Sequence, residues 1–299
     1  MVATAAWSSP NFIKDSQKLI LKNMPFEKFE SPVEKKLERV EEEEKGREKI
    51  KDFIKETSEN LKKEGVPVTE DCHIDIRAFS EIYPEKIIEK DQELVRDYMS
   101  EWYPGLSEEE IKKEKLKTDG EKLEMLITAI FAKNLGEDFI VARTSLYDDI
   151  KNKIDNIILE KETGNIVCAL DEVAEISGER LEKKKNEILK ERNIKEKGGK
   201  LKYGLKVEKD KKGKPKIFLS KIDSIPVFYL ALDDKRINQA IENLIPSLEE
   251  KSEYEGKLFS YFKSSLNAQI WYLELDQRLH PFLKERLSAF KKSLQEFKK

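Results

Sequence analysis

Two cysteines, Cys72 and Cys168, and two histidines, His73 and His280, are all that the 299 residues offer to sulfur or imidazole chemistry. That excludes a disulfide framework and a cysteine zinc site. With so few histidines, His-based zinc sites and His-dependent triads are excluded as well. Cys168 lies in an apolar run and reads as a small core residue. His280, directly before Pro281, reads as a helix cap. No apolar run approaches the ~20 residues of a membrane span. Residues 1–10 have neither a basic region nor a long apolar stretch, so they do not read as a secretory signal. The expected compartment is a reducing cytoplasm. P-loop, dinucleotide and helix-turn-helix signatures are absent. Gly198-Gly199 alone is a helix terminator and not a phosphate cradle.

Charge, by contrast, is abundant. Asp, Glu, Lys and Arg make up 39% of the chain, against about 25% in a typical domain. Most of them fit long helices with solvated Glu/Lys faces. Fourteen Phe, nine Tyr and three Trp supply a core. The net charge of −3 hides an asymmetry: residues 179–216 hold 16 Lys and Arg against 7 Asp and Glu, whereas the rest holds 41 against 53. Two readings of that basic stretch stay open. It is a phosphate-contacting surface, or it is a solvated helix followed by a Lys-rich hairpin.

Along the chain, residues 11–29 are mixed. Ser31-Pro32 then opens a helix over 32–63, with Ser as N-cap and Pro at the first helical position. Residues 75–104 read as further helix, and Ser107 followed by three Glu reads as an N-cap with an acidic first turn. The texture changes at Thr118. Residues 120–135 have helical spacing, and 138–146 alternate like a strand. Residues 154–160 and 166–174 are two more strands joined by a Thr163-Gly164-Asn165 turn. Residues 178–197 are a charged helix, 201–207 and 216–219 flank a Lys-rich turn, and 225–232 are apolar enough for a buried strand. Helices follow over 237–245, 258–275 and 279–297. Three regions result: helical 1–117, an α/β core 118–232, and helical 233–299. Partner proteins or self-association would use the helical regions.

The chemistry-bearing residues are carboxylates. Asp155 begins the second strand, and Asp171-Glu172-Val173 ends the third. A short hairpin brings Asp155 and Asp171 to one edge of a sheet, with Glu172 pointing to the other face. Acids after an apolar run mark either the point where the strand surfaces or a site. Two carboxylates a few ångström apart repel unless a cation or a shared proton lies between them, and an all-oxygen set suits Mg²⁺ or Mn²⁺. Glu124 on the preceding helix can reach the same point, with Glu121 as the competing choice. Tyr147-Asp148-Asp149 adds further acidic candidates.

A helical Glu, an Asp at the start of one strand, an Asp at the end of the next, then a helix and a buried strand together resemble the core of the PD-(D/E)XK nuclease-like superfamily. The matching segments are GEKLEMLITAIF, SLYDDIKNKIDNIILE, TGNIVCALDEVAE and IPVFYLAL. Residues 147–172, with Gly178-Glu179-Arg180, are also similar to uncharacterised bacterial proteins. The resemblance implies a mixed α/β (α+β) fold, with a restriction-endonuclease-like αβββαβ core flanked by long helices. It makes Asp155 and Asp171 metal ligands together with the Glu172 backbone carbonyl, and Glu124 the helix acid. Mg²⁺ or Mn²⁺ becomes the expected cofactor and DNA or RNA, bound through 179–216, the expected partner. The pattern departs at Val173, where the superfamily has its lysine. Lys183, Lys184 and Lys185 on the next helix are available instead, with Lys184 favoured. Either a displaced lysine supports hydrolysis, or the chain is a catalytically inactive nuclease-like scaffold that binds nucleic acid or protein. Whether it is an enzyme stays open at this point.

Overall fold

A computed structural model describes residues 32–296 apart from 165, 210–212 and 214. The expectations for 11–29, the Ser31 cap and most of the Lys-rich turn lie outside the described residues. The chain divides into two compact units, Met1–Glu43 and Glu44–Lys299. The architecture below is that of the second.

The elements are α1 (Pro32–Lys63), a 3-10 turn at Ile76–Glu81, α2 (Glu85–Trp102), α3 (Glu108–Lys115), α4 (Asp119–Leu135), β1 (Phe139–Arg143), α5 (Leu146–Asn152), β2 (Asn156–Glu160), β3 (Ile166–Val173), α6 (Glu179–Asn186), a π-helical segment (Glu187–Lys195), β4 (Gly199–Lys209), β5 (Pro215–Ile225), β6 (Val227–Ala231), α7 (Asp234–Asn243), α8 (Glu253–Glu274) and α9 (Pro281–Glu296). The fold is mixed α/β, with a small mixed sheet in the order β1-β2-β3-β6 and a separate β4-β5 hairpin. β1, β2 and β3 run antiparallel in succession, and β6 adds parallel to β3. No helix among the described residues is long and apolar enough to cross a membrane.

Local chemistry explains most boundaries. Ser107 and Glu110 form a reciprocal capping box at the start of α3. The Thr118 hydroxyl accepts from the Glu121 N–H to open α4, with Asp119 and Glu121 in its first turn and Lys133 in its last. One expectation needs correction. The strand read over 138–146 stops at Arg143, because the Ser145 hydroxyl accepts from the Asp148 N–H and starts α5. The same spacing that alternates in sequence therefore hides a helix N-cap. Helix α9 follows His280, whose carbonyl accepts from the Lys284 N–H. The imidazole Nδ1 of His280 is buried without a partner and so does not supply the cap expected there.

The charged helix over 178–197 is α-helical only to Asn186 and continues with π geometry. A π turn is a local insertion that changes which face each residue meets. Here it buries Arg192 and Asn193 side by side. Gly198 then breaks the segment at φ +97°, where a Cβ would meet the Ile225 carbonyl at 2.7 Å.

The main apolar core runs through Glu44–Lys299, with a small separate cluster of Val173, Leu181 and Ala231. The main core includes Phe53 of α1, Phe131 of α4, Phe228 of β6, Phe262 of α8 and Phe290 of α9. The outer edge of β6 is covered by side chains. Asn193 donates to the Val227 carbonyl at 2.7 Å and accepts from its N–H at 2.9 Å. Gln269 does the same for Tyr229, at 2.8 and 3.1 Å. The Tyr261 hydroxyl donates to the Ala231 carbonyl at 3.1 Å. Each alternate residue of the strand thus finds a partner that is not a strand, which blunts an otherwise open edge.

Candidate active site

Strand alternation sends Asp171 and Glu172 to opposite faces of the sheet, and the two faces differ in charge. On the Glu172 face lies α4. Asn156 of β2 donates to Glu172 Oε1 at 2.9 Å, and the Thr128 hydroxyl donates to Asn156 Oδ1 at 2.7 Å. Asn156 is fully buried and so fixes where that carboxyl group stands. On the Asp171 face lie α6 and the π segment. Lys184 Nζ is 2.7 Å from Asp171 Oδ1, and Arg192 Nη1 is 3.4 Å from Oδ2.

Asp155 precedes β2 and bends across the end of the hairpin. Its N–H donates to the Leu170 carbonyl at 2.9 Å, and its Oδ2 accepts from the Glu172 N–H at 2.7 Å. The Asp155 carboxyl group is also within hydrogen-bond reach of the Glu172 carboxyl group. That contact needs a proton or a cation between the two. The Glu172 side chain was not anticipated as a neighbour of Asp155. It comes there because β2 begins only at Asn156, which leaves Asp155 free to turn towards the Glu172 N–H.

Glu124 and Glu121 share Arg143, which is fully buried. Nη1 is 2.8 Å from Glu121 Oε1, and Nη2 is 2.6 Å from Glu124 Oε2. Lys115 adds a second cation to Glu121 at 3.0 Å. The two glutamates therefore part company. Burial opposes ionisation of Glu121, but Arg143 and Lys115 outweigh it and hold the group low. Glu124 is pushed up to about 7 by burial, which Arg143 opposes and the Glu121 and Asp149 charges reinforce. Of the two helix acids, Glu124 is the one whose charge bears on both Asp155 and Glu172.

The rest of the cluster follows the same physics. Burial, then the Glu172 carboxylate, lift Asp155 well above the usual carboxylate range. Burial lifts Glu172 to about 7, although the neighbouring Asp155 carboxyl group and the hydrogen bond from Asn156 oppose it. Burial, then Asp155, lift Asp149 to about 7. Asp171 is raised by burial against the pull of Lys184 and Arg192. Burial opposes the charge on Lys184, but Asp171 outweighs it and raises the group. Asp148 plays a different part. It accepts from the Ser145 hydroxyl, the Asn152 amide and the backbone N–H groups of Lys202 and Tyr203, at 2.6–3.0 Å, and so fastens α5 to β4.

Of the three lysines weighed on the sequence, the structure brings only Lys184 to the carboxylates. Lys183 pairs with Glu179 and Lys185 with Glu182, both on their own helix. Arg143, Arg192 and Asn156 were not singled out. Arg143 stands in an otherwise apolar strand, which was the signal for it. Arg192 gave none, because its position depends on the π segment.

Among the described residues no three His, Cys, Asp or Glu side chains are gathered into a ready metal cage. Asp171 is drawn to its cations, while Asp155 and Glu172 face each other. An all-oxygen cation nevertheless fits the chemistry of the place. Glu172 Oε2 is buried with no donor. If Glu121, Glu124, Asp149, Asp155, Asp171 and Glu172 were all ionised, they would exceed Lys115, Arg143, Lys184 and Arg192 by two charges. A divalent ion cancels that excess.

The basic stretch 179–216 spans α6, the π segment and the hairpin. Lys190, Lys197, Lys200, Lys206, Lys209 and Lys216 are exposed. Lys202 is not free to join them: it pairs with Asp91, and its Nζ lies 4.9 Å from the Tyr147 ring.

No family model, curated protein or solved structure matches this chain.

Proposed function

We propose that this chain is a Mg²⁺- or Mn²⁺-dependent nuclease of the PD-(D/E)XK kind, with an αβββαβ core and Lys184 in place of the lysine missing at Val173. The observation that carries the reading is the Lys184–Asp171 contact at 2.7 Å. It supports the reading because an ammonium from outside the usual motif meets Asp171, one of the two expected ligands. Asp155, Asp171 and the Glu172 carbonyl would hold the ion. When bound there, the ion would supply Lewis acidity toward a phosphoryl oxygen and a water. Lys184 offers positive charge to the phosphate as negative charge develops there. Glu124, tuned to about 7, is suited to exchange a proton near neutral pH. Arg143 fixes its orientation. The exposed lysines of 179–216 give a nucleic-acid backbone a salt-sensitive surface with little sequence preference.

A second reading is an inactive nuclease-like scaffold that binds nucleic acid or protein. Val173, buried at 1% exposure, favours it, as does the lack of a ready three-acid cage among the described residues.

Metal titration separates the two. Mn²⁺ and Mg²⁺ are added to wild type and to Asp155→Asn/Asp171→Asn while heat and melting temperature are followed. An ion that binds only the native state raises the melting temperature by mass action. Stabilisation of wild type alone, with metal-dependent cleavage of single- or double-stranded DNA or RNA that Lys184→Ala lacks, supports the nuclease. Stabilisation without cleavage supports the scaffold. The absence of both at millimolar metal refutes the metal site.

A further inference from the structure

The carboxylate of Asp171 is shared between two cations that are anchored differently. Arg192 is almost fully buried, with side-chain exposure of 7%. Its Nη1 also donates to the Lys153 carbonyl at 2.7 Å and its Nη2 to the Asn152 carbonyl at 2.6 Å. It is tied to the loop leading into β2 as firmly as to Asp171. Lys184 keeps 20% of its side chain exposed, and its ammonium hydrogen bond among the described residues is to Asp171 Oδ1. A lysine is a compact charge on a flexible four-carbon stem, whereas a guanidinium held by three acceptors is locked in plane. One cation is a fixture and the other is a plug.

We propose that the Lys184 ammonium occupies the seat on Asp171 Oδ1 that a divalent cation takes, so that metal loading expels Lys184 from the carboxylate and frees its charge over the site. This rests on the metal-site reading above and adds its regulation. Oδ2 stays with Arg192, so the carboxylate keeps its orientation when Oδ1 changes partner. The charge count points the same way. Asp155 and Glu172 face each other with no cation between them, and Asp171 is the member of the set that already has two. A divalent ion held by Asp155 and Asp171 must compete with the nearer and more mobile of those two cations. The released ammonium, still tethered to α6, is then available to a phosphate oxygen of the substrate. Loading of the ion and presentation of the lysine become one event.

The test uses the full chain and Mn²⁺ alone, with no nucleic acid. Affinity is measured by calorimetry, and by the shift in melting temperature, for wild type, Lys184→Met, Lys184→Gln, Lys184→Arg and Asp155→Asn. The two neutral variants remove the competitor and should bind Mn²⁺ about tenfold more tightly than wild type, the scale of one charge contact in a partly screened site. Lys184→Arg keeps the charge and should bind no more tightly than wild type. Asp155→Asn should lose binding, which locates the ion. If wild type shows no binding and the neutral variants do, the plug is confirmed in its strongest form. If wild type binds and the neutral variants bind equally or more weakly, the plug is refuted while the metal site stands. If none of them binds, both the plug and the metal site fall.

Discussion

Helix α4 carries buried charge at both ends, and the two ends are built on opposite principles. At its C-terminal end Lys133 donates to the carbonyls of Ile245 and Glu250, pairs with Glu255, and lies 5.1 Å from the centre of the Phe53 ring. Glu255 in turn accepts from the N–H groups of Ile245 and Ser252. The Lys133 and Glu255 side chains are exposed by 0% and 1%, and each charge meets an opposite one with added hydrogen bonds. At the N-terminal end Glu124 looks onto Asp155 and Glu172, where acids outnumber cations and Glu172 Oε2 has no donor. Charge buried for architecture is neutralised on the spot. Buried acids without matching cations resist ionisation, and groups perturbed in this way concentrate at functional sites.

The largest test of that contrast is a pair of substitutions. Lys133→Met should destabilise the fold by about 3–5 kcal/mol, because it strands Glu255 in a dry interior. Glu172→Gln should do the reverse at pH 8 and stabilise by about 1–2 kcal/mol, because it removes an uncompensated charge. Urea unfolding of both variants checks this. Equal losses from the two would erase the distinction between the ends of the helix.

The next effect is on the pH profile. Glu172 is raised to about 7 in the folded chain, above its unfolded value of about 4.3. The native state therefore binds more protons across that window. The stability this group confers is fully present below about pH 4 and is lost as pH rises through about 7. Subtracting the urea-derived profile of Glu172→Gln from that of wild type isolates the term, which should slope downward between pH 5 and 7.5. Asp149, also raised to about 7, should give a smaller slope in Asp149→Asn, since part of its surface stays open to water. A flat difference for Glu172 would mean that its charge is already matched.

The smallest effect concerns the outer surface. Lys206→Ala and Lys209→Ala should each weaken nucleic-acid binding evenly across sequences and lower the salt slope by about one. Folding stability should be unchanged, as both side chains are exposed. Binding titrations from 50 to 200 mM salt would show it.

The sequence disclosed the strands around the site because their apolar runs are long and bounded by turns. It disclosed Asp155 and Asp171 because acids follow those runs, and Lys184 as one of three neighbours. Three features stayed hidden for physical reasons. Helix α5 is too short for its period to show against the alternation before it. The π segment breaks the 3.6-residue repeat, so Arg192 and Asn193 cannot be assigned to a face from spacing. The side-chain contact of Glu172 with Asp155 depends on where β2 starts, and a one-residue difference in a strand boundary decides which acid faces which.

The capped edge of β6 has a consequence for how the chain is made. Gln269, which closes the edge at Tyr229, lies 40 positions later in the sequence. A chain being synthesised completes β6 well before it owns that amide. During the interval the strand displays hydrogen-bonding groups that another emerging chain could match. When α8 arrives, it ends the interval by occupying those groups itself. Closure of the sheet is thus a late step of biogenesis, and a product cut short before Gln269 carries an open template for self-assembly.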